Sequence, residues 1–336
     1  MITIFTLNGY SNYGNRLQLF ALSKIVAGMV DVPVGVYWKK SIKNKIVEFI
    51  KYKTLMSLFY KKESKLMRFT KKYIAKEVNT LDCEYSVIGS DQVWNPAFLV
   101  GRPYLLDTPP GRIIISYAAS LGVDSLTSDQ KKMFKAALSG FNALSVREQS
   151  AKQVLRPLTK KRIEVVLDPT LLLDTNEYIK LEKKPNTINK TEKYIFCYIL
   201  GDCIYRDSIE EYAKNNGLKI ILFSDKGDSG YGVEEFLYLI NHAELICTDS
   251  FHACVFSFIF EKPFVVFRRS GEADYMYSRL QNLIDTFHLR NREFNGKKIT
   301  KENMCVDYAE GKNILKMERE KSMRFLEKAL ENKDES

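Results

Sequence analysis

No stretch of this chain is long and apolar enough to read as a membrane span. The longest apolar run, Ala253–Phe260, falls well short of the ~20 residues that a spanning helix needs. Met1–Leu7 has no basic segment ahead of it and no small-residue cleavage site after it, so it reads as a buried strand rather than a secretory leader. The expected location is therefore the cytoplasm. Six cysteines, at 83, 197, 203, 247, 254 and 305, include no Cys-x-x-Cys pair. Their scatter fits neither a zinc site nor a disulfide framework, and most lie in apolar stretches where a free thiol packs as a small hydrophobe. The basic excess comes with no motif that reads RNA or DNA, so nucleic acid is not an expected partner.

What is present points to a large α/β protein. A chain of 336 residues with 45% hydrophobic content has ample material for cores, and exceeds the size at which one core stays comfortable, so two domains of roughly 150 residues are expected. Short β-branched runs alternate with helical periodicity almost throughout, which predicts parallel sheets wrapped by helices. Strands are predicted at Ile2–Leu7, Tyr85–Gly89, Ile113–Ala118, Ala143–Val146 and Glu164–Leu167. A polar, turn-forming stretch at Lys183–Lys193 marks a break, and a second series follows at Tyr194–Leu200, Lys219–Phe223, Leu245–Thr248 and Phe264–Phe267. The predicted architecture is two Rossmann-like domains facing a cleft, over residues 1–185 and 193–310, with a C-terminal helix and tail over 311–336. In such folds, chemistry is sought in the loops just after strands.

Lys and Arg exceed Asp and Glu by 51 − 41 = 10, which favours an anionic partner. Much of the excess lies in 39–76, read as a basic helical insertion in the first domain. There Ile42, Ile46, Phe49 and Ile50 form an apolar stripe, with Lys43, Lys45, Lys51 and Lys53 largely off it. It reads either as a solvated helical hairpin or as a surface that rests on an anionic membrane leaflet.

Five loops carry candidate chemistry. Asn8–Gln18 runs from the first strand into a helix without the glycine spacing of a P-loop or dinucleotide fingerprint. It reads equally as a substrate loop, through Asn12, Tyr13, Asn15 and Gln18, or as a simple turn. Val87–Pro96 ends a strand in Ser90, Asp91, Gln92, Trp94 and Asn95, which read as the hydrogen bonds and aromatic surface that a sugar needs, or as a turn with a core tryptophan. Arg147, just beyond Ser145-Val146, offers a planar fork to a carboxylate or phosphate, or else pairs with Glu148. Cys247–Ala253 places Asp249 and Ser250 ahead of His252 at a helix start. The dipole there disfavours imidazolium unless Asp249 or a bound phosphate restores it, which would give an acid titrating near neutrality; the other reading is a capped core histidine. His242 and His288 have no such company and read as packing or surface residues. Arg268 and Arg269 leave the last strand and Arg279 follows; they read as part of an anion pocket or as a basic turn.

Together these segments resemble the polysaccharide pyruvyl transferase family. The resemblance rests on Asn12–Gln18, Gly89–Pro96, Tyr117–Ser120, Ser145–Glu148, Val166–Leu172 and Thr248–His252, which occur in the family's order. It implies a GT-B-like arrangement, phosphoenolpyruvate as donor with no other cofactor or metal, and a sugar of a cell-surface polysaccharide precursor as acceptor, lipid-linked in one reading. The donor would bind the second domain and the acceptor the first. His252 becomes the acid/base with Asp249 beside it, and Arg147 and Ser250 become donor ligands. Arg268 best matches the family's basic residue after the last strand, ahead of Arg269 and Arg279. Many relatives follow the histidine with Gly where this chain has Ala253, which makes a backbone contact to the donor less assured. Two alternatives are a GT-B glycosyltransferase using a nucleotide sugar and an idle relative that only binds glycan or anion.

Overall fold

The computed structural model describes residues 1–38, 40–80, 82–99, 113–189, 191–202, 204–224, 229–269 and 277–331; Cys203 and Lys39 lie outside them. The chain divides into two compact units. Unit 1 comprises Met1–Met56, Met67–Leu173 and Lys316–Ser336, and unit 2 comprises Ser57–Leu66 and Asp174–Leu315. The polar break expected at Lys183–Lys193 therefore falls inside unit 2, and most of the C-terminal helix belongs to unit 1.

Unit 1 is built on seven strands: β1 (Ile2–Phe5), β2 (Val34–Tyr37), β3 (Lys76–Val78), β4 (Tyr85–Gly89), β5 (Ile113–Ala119), β6 (Ala143–Val146) and β7 (Ile163–Val165). All pair in parallel, in the order β3-β2-β1-β4-β5-β6-β7. The first six follow the Rossmann order, whose direction of winding reverses between β1 and β4. β2 and β3 are strands that the pattern did not reveal. Both are short, β2 is interrupted by Gly35, and β3 lies at an edge where Lys76 and Glu77 can face water.

The helices in chain order are α1 (Tyr13–Met29), α2 (Ile42–Lys53), α3 (Lys61–Tyr73), α4 (Pro96–Leu99), α5 (Ser128–Leu138), α6 (Gln149–Leu155), α7 (Thr175–Ile179), α8 (Arg206–Asn216), α9 (Val233–Asn241), α10 (Phe251–Ile259), α11 (Tyr277–Thr286) and α12 (Ala309–Leu330). α1 starts because the Asn12 side chain accepts from the Asn15 N–H at 2.9 Å. The later part of α12 is stitched into unit 1: Leu167 N–H donates to Ser322 Oγ, and Arg319 donates to the carbonyls of Leu171 and Leu173.

Unit 2 carries β8 (Tyr194–Ile199), β9 (Lys219–Ser224), β10 (Leu245–Thr248) and β11 (Phe264–Val266). Again all are parallel, in the order β11-β10-β8-β9. This is the flavodoxin-like winding, which reverses between β8 and β10. α10, which follows β10, is buried along its whole length, as its all-round apolar sequence requires. The expectation of two Rossmann-like α/β units, the ingredients of a GT-B-like architecture, holds.

Close packing at the end of β4 supplies a test. Gly89 has φ +147°, and a Cβ there would lie 1.9 Å from the Tyr117 carbonyl oxygen, whereas Gly9 has open space around it. Gly89→Ala should destabilise unit 1 by about 3 kcal/mol or more, and Gly9→Ala by no more than about 0.5 kcal/mol. Urea unfolding followed by tryptophan fluorescence checks this, since Trp38 and Trp94 are the chain's two tryptophans and both lie in unit 1.

Candidate functional site

In unit 1 the two loops that diverge at the reversal point are Leu7–Asn12, after β1, and Ser90–Asn95, after β4. They are tied together by side chains. Asn15 Nδ2 donates both to the Leu7 carbonyl and to Asp91 Oδ2, each at 3.0 Å. Gln18 Nε2 donates to Thr6 Oγ1, whose hydroxyl donates to the Ser90 carbonyl. Asn95 Nδ2 donates to Gln92 Oε1 at 2.8 Å, and Asp91 holds a left-handed φ of 66°.

The acceptor residues expected from the sequence are thus largely gathered in one place, but with unequal exposure. Asn12 and Asp91 are half-buried, while Tyr13, Gln18, Ser90 and Trp94 are fully buried. Trp94 corrects the expectation of a sugar-stacking aromatic: its ring lies in the core, edge-on to Phe134 and Phe141 at 6.2 and 5.6 Å. Apolar burial wins over surface display because those rings close on it from the sheet's own helical layer.

Arg16, to which sequence reasoning gave no role, is the most unusual group here. It is wholly buried, its Nε and Nη2 donate to Asn15 Oδ1, and its guanidinium carbon lies 5.9 Å from the centre of the Trp38 ring. Burial lowers its pKa to about 10 against the opposing pull of Tyr10, Glu77 and Asp91. Its Nη1 finds no partner among the described residues.

Arg147 lies beyond β6, as expected, and its Nε meets Glu148 Oε2 at 3.7 Å, the pairing the sequence offered, although both side chains are buried; its shorter contact is with a residue the sequence did not single out. Its Nη1 donates to Asp168 Oδ2 at 2.7 Å, with 3% and 0% of the two side chains exposed. Burial works against the charged guanidinium, yet Asp168, Glu148 and Asp91 outweigh it and raise its pKa. The same Asp168 carboxylate accepts from Ser90 Oγ at 3.2 Å and from the amide and hydroxyl of Thr170. Arg147 is therefore a buried strut linking the ends of β4, β6 and β7. Asp168 was visible only as part of the Val166–Leu172 segment.

In unit 2 the reversal point is bridged by one carboxylate. Asp249, after β10, accepts from the N–H groups of Leu200 and Gly201, after β8, both at 2.8 Å. Arg269 closes the cluster, its Nε donating to Asp249 Oδ2 at 3.0 Å and its Nη2 to the Asp249 carbonyl. The hydrogen bonds of Asp249 run to these groups rather than to His252, so it shapes the loop and does not serve as the histidine's hydrogen-bond partner.

His252 lies in the first turn of α10 with 8% of its surface exposed, after Ser250 at the N-cap, which makes no side-chain capping bond. Arg268 is exposed, with its guanidinium carbon 4.4 Å from the centre of the Tyr277 ring, and Arg279 is buried on α11. The rest of the stretch that follows, 270–276, lies outside the described residues. His242 stacks on Tyr238 and meets Glu182, and His288 meets Glu310; both are surface residues.

A family model described as polysaccharide pyruvyl transferase matches residues 12–271. No curated protein matches the chain. Among solved structures, UDP-N-acetylglucosamine 2-epimerase from Rickettsia bellii is similar at 10% identity and a TM-score of 0.49, covering 97% of this chain and 95% of that one. A putative UDP-N-acetylglucosamine 2-epimerase from Listeria monocytogenes is similar at 10% identity and a TM-score of 0.47, covering 96% and 90%. The two-unit architecture stands on the strand orders themselves.

The buried strut has a measurable consequence. Asp168→Ala leaves the Arg147 guanidinium without its nearest charge and should cost unit 1 about 3–5 kcal/mol. Tryptophan-detected urea unfolding reads this directly, and a loss within experimental error would contradict the strut.

Proposed function

The chain belongs to the polysaccharide pyruvyl transferase family, and we propose that it moves the enolpyruvyl group of phosphoenolpyruvate onto a pair of sugar hydroxyls, closing a pyruvate ketal. Unit 2 binds the donor and unit 1 the acceptor. The observation that carries this reading is the Asp249 cluster, which fixes Arg269 and the Leu200–Gly201 loop beside a helix start that bears His252. A helix N-terminus with neighbouring arginines favours a small anion carrying carboxylate and phosphate.

In the proposed reaction, His252 is the acid. The imidazolium gives its proton to the methylene carbon of the donor, and one sugar hydroxyl forms a bond to the carbon that bears carboxylate and phosphate. That carbon–oxygen bond to phosphate then breaks, a second hydroxyl takes its place, and the two hydroxyl protons pass to the imidazole and the departing phosphate. Arg268, the exposed arginine of the set, neutralises the leaving phosphate. On the acceptor side, Asn12 and Asp91 are the accessible hydrogen-bonding groups, and Asn15, Gln92 and Asn95 hold their loops. Ala253 is fully buried, so its methyl stays out of the surface that a donor would touch.

Donor binding can be tested without knowing the sugar. Phosphoenolpyruvate at about a hundred times its dissociation constant should stabilise the protein by about 2.7 kcal/mol, seen as a rise in melting temperature that Arg268→Ala reduces. A rise with a nucleotide sugar and none with phosphoenolpyruvate would transfer the reading to a glycosyltransferase. Once an acceptor is found, His252→Ala should lower turnover by about 10²–10⁴-fold while the donor still shifts melting. Near-normal turnover in that variant would remove His252 from the mechanism.

A further inference from the structure

Helix α2 is attached to unit 1 by the wrong face for a helix of a soluble protein. It begins at Ser41, whose Oγ accepts from the Asn44 N–H at 3.1 Å. Successive residues turn by ~100°, which puts Glu48 and Tyr52 on one side and Ile42, Ile46, Phe49 and Ile50 on the other. The side held to the protein is the polar one. Glu48 meets Lys40 at 3.1 Å, and the Tyr52 ring lies edge-on to Tyr10 at 5.7 Å.

The apolar side is turned away. Ile42 is 78% exposed, Ile46 55%, Phe49 57% and Ile50 47%, and Leu55 and Met56 continue the exposed strip. No residue of the helix is buried. An amphipathic helix normally does the opposite, directing its apolar stripe at the core. A contiguous exposed patch of this kind marks a surface that meets something apolar.

The charges beside the stripe say what that is. Lys43 and Lys45 lie on its two flanks, and Lys53 closes its C-terminal end, with its Nζ 6.0 Å from the centre of the Phe49 ring. A second copy of the chain is a poor fit, because a two-fold contact through this stripe would bring the same lysines face to face. A bilayer with acidic lipids meets both demands. The stripe enters the boundary between headgroups and acyl chains while lysines on long stems reach the phosphates.

We propose that α2 lies in the plane of an anionic phospholipid surface, with Ile42, Ile46, Phe49 and Ile50 inserted and Lys43, Lys45 and Lys53 on the headgroups. The inference is independent of the pyruvyl transfer reading, since nothing in it involves the donor or His252. Among the described residues no helix is long and apolar enough to cross a membrane, so the attachment is to one leaflet and reversible.

The test uses the full chain sedimented with large unilamellar vesicles, either of phosphatidylcholine alone or of equal parts phosphatidylcholine and phosphatidylglycerol. The wild type should bind the anionic vesicles at least about ten-fold more tightly than the neutral ones, and less tightly as salt is raised. Ile46→Ser/Phe49→Ser/Ile50→Ser should lose at least about ten-fold in affinity. Lys43→Glu/Lys45→Glu/Lys53→Glu should lose about five-fold or more for each lysine reversed. All six positions are exposed, so tryptophan-detected unfolding should be unchanged and a loss of binding is not a loss of fold. The proposal is overturned if the wild type ignores anionic vesicles, if either triple variant binds as the wild type does, or if the wild type is a dimer by sedimentation equilibrium that the apolar triple variant dissociates.

Discussion

Parallel sheets end their strands in loops that diverge at one point, and something must hold the diverging loops in register. In unit 2 that task falls to Asp249, which gathers two backbone N–H groups from the neighbouring loop and an arginine from the next. In unit 1 it is shared between Asp91, reached by Asn15, and Asp168, which draws in Arg147 and Ser90. An acceptor-only carboxylate suits the role, because the groups exposed at a strand's carboxyl end and at a helix start include N–H donors with no partner inside the element. A neutral side chain would satisfy fewer of them. Everything proposed about substrate depends on these carboxylates, since they decide which side chains are rigid struts and which stay accessible.

This reverses part of the chemical reading of the polar residues. Asp249 looked like a partner for an imidazole because it precedes His252 by three positions at a helix start, where such pairing is common logic. The geometry gives its hydrogen bonds to the loop after β8, a segment almost fifty positions earlier, which no local spacing can reveal. The same holds for Arg147 and Asp168, separated by a strand and a helix but brought within 2.7 Å by the parallel register of β6 and β7. Long-range electrostatic pairing is a property of topology, and a window that moves along the chain does not contain it.

What was legible follows from what is local. β4, β6 and β10 were located to the residue because β-branched and apolar runs bounded by turn residues mark them on both sides. β2 and β3 escaped because a glycine and an edge position remove those marks. The loops after strands were correctly chosen as the place where polar groups gather, as the fold's logic requires. Whether each of those groups faces water was not legible, and Trp94 and Arg16 show why. A tryptophan in a loop and an arginine in the first turn of a helix carry no sequence mark of burial, yet both are wholly buried. The stripe and charges of α2 were visible as a pattern, but a helical period defines two faces without saying which one meets the protein.

The net charge can now be divided by location. Arg16, Arg147 and Arg292 are buried, and their hydrogen bonds go to side chains and backbone carbonyls of their own unit. They tie together elements of their own unit. Among the many accessible cations, two sets differ in their chemistry. Arg268, held by a ring face, presents a planar guanidinium of the kind that recognises carboxylate or phosphate in a fixed orientation. The lysines of α2 are mobile point charges on long stems beside an apolar stripe, a combination that gains from many phosphates in a plane rather than from one in a pocket. On the two proposals made above, Arg268 would serve one small, oriented anion and the lysines of α2 an extended anionic surface. An enzyme whose acceptor was attached to lipid would need both at once.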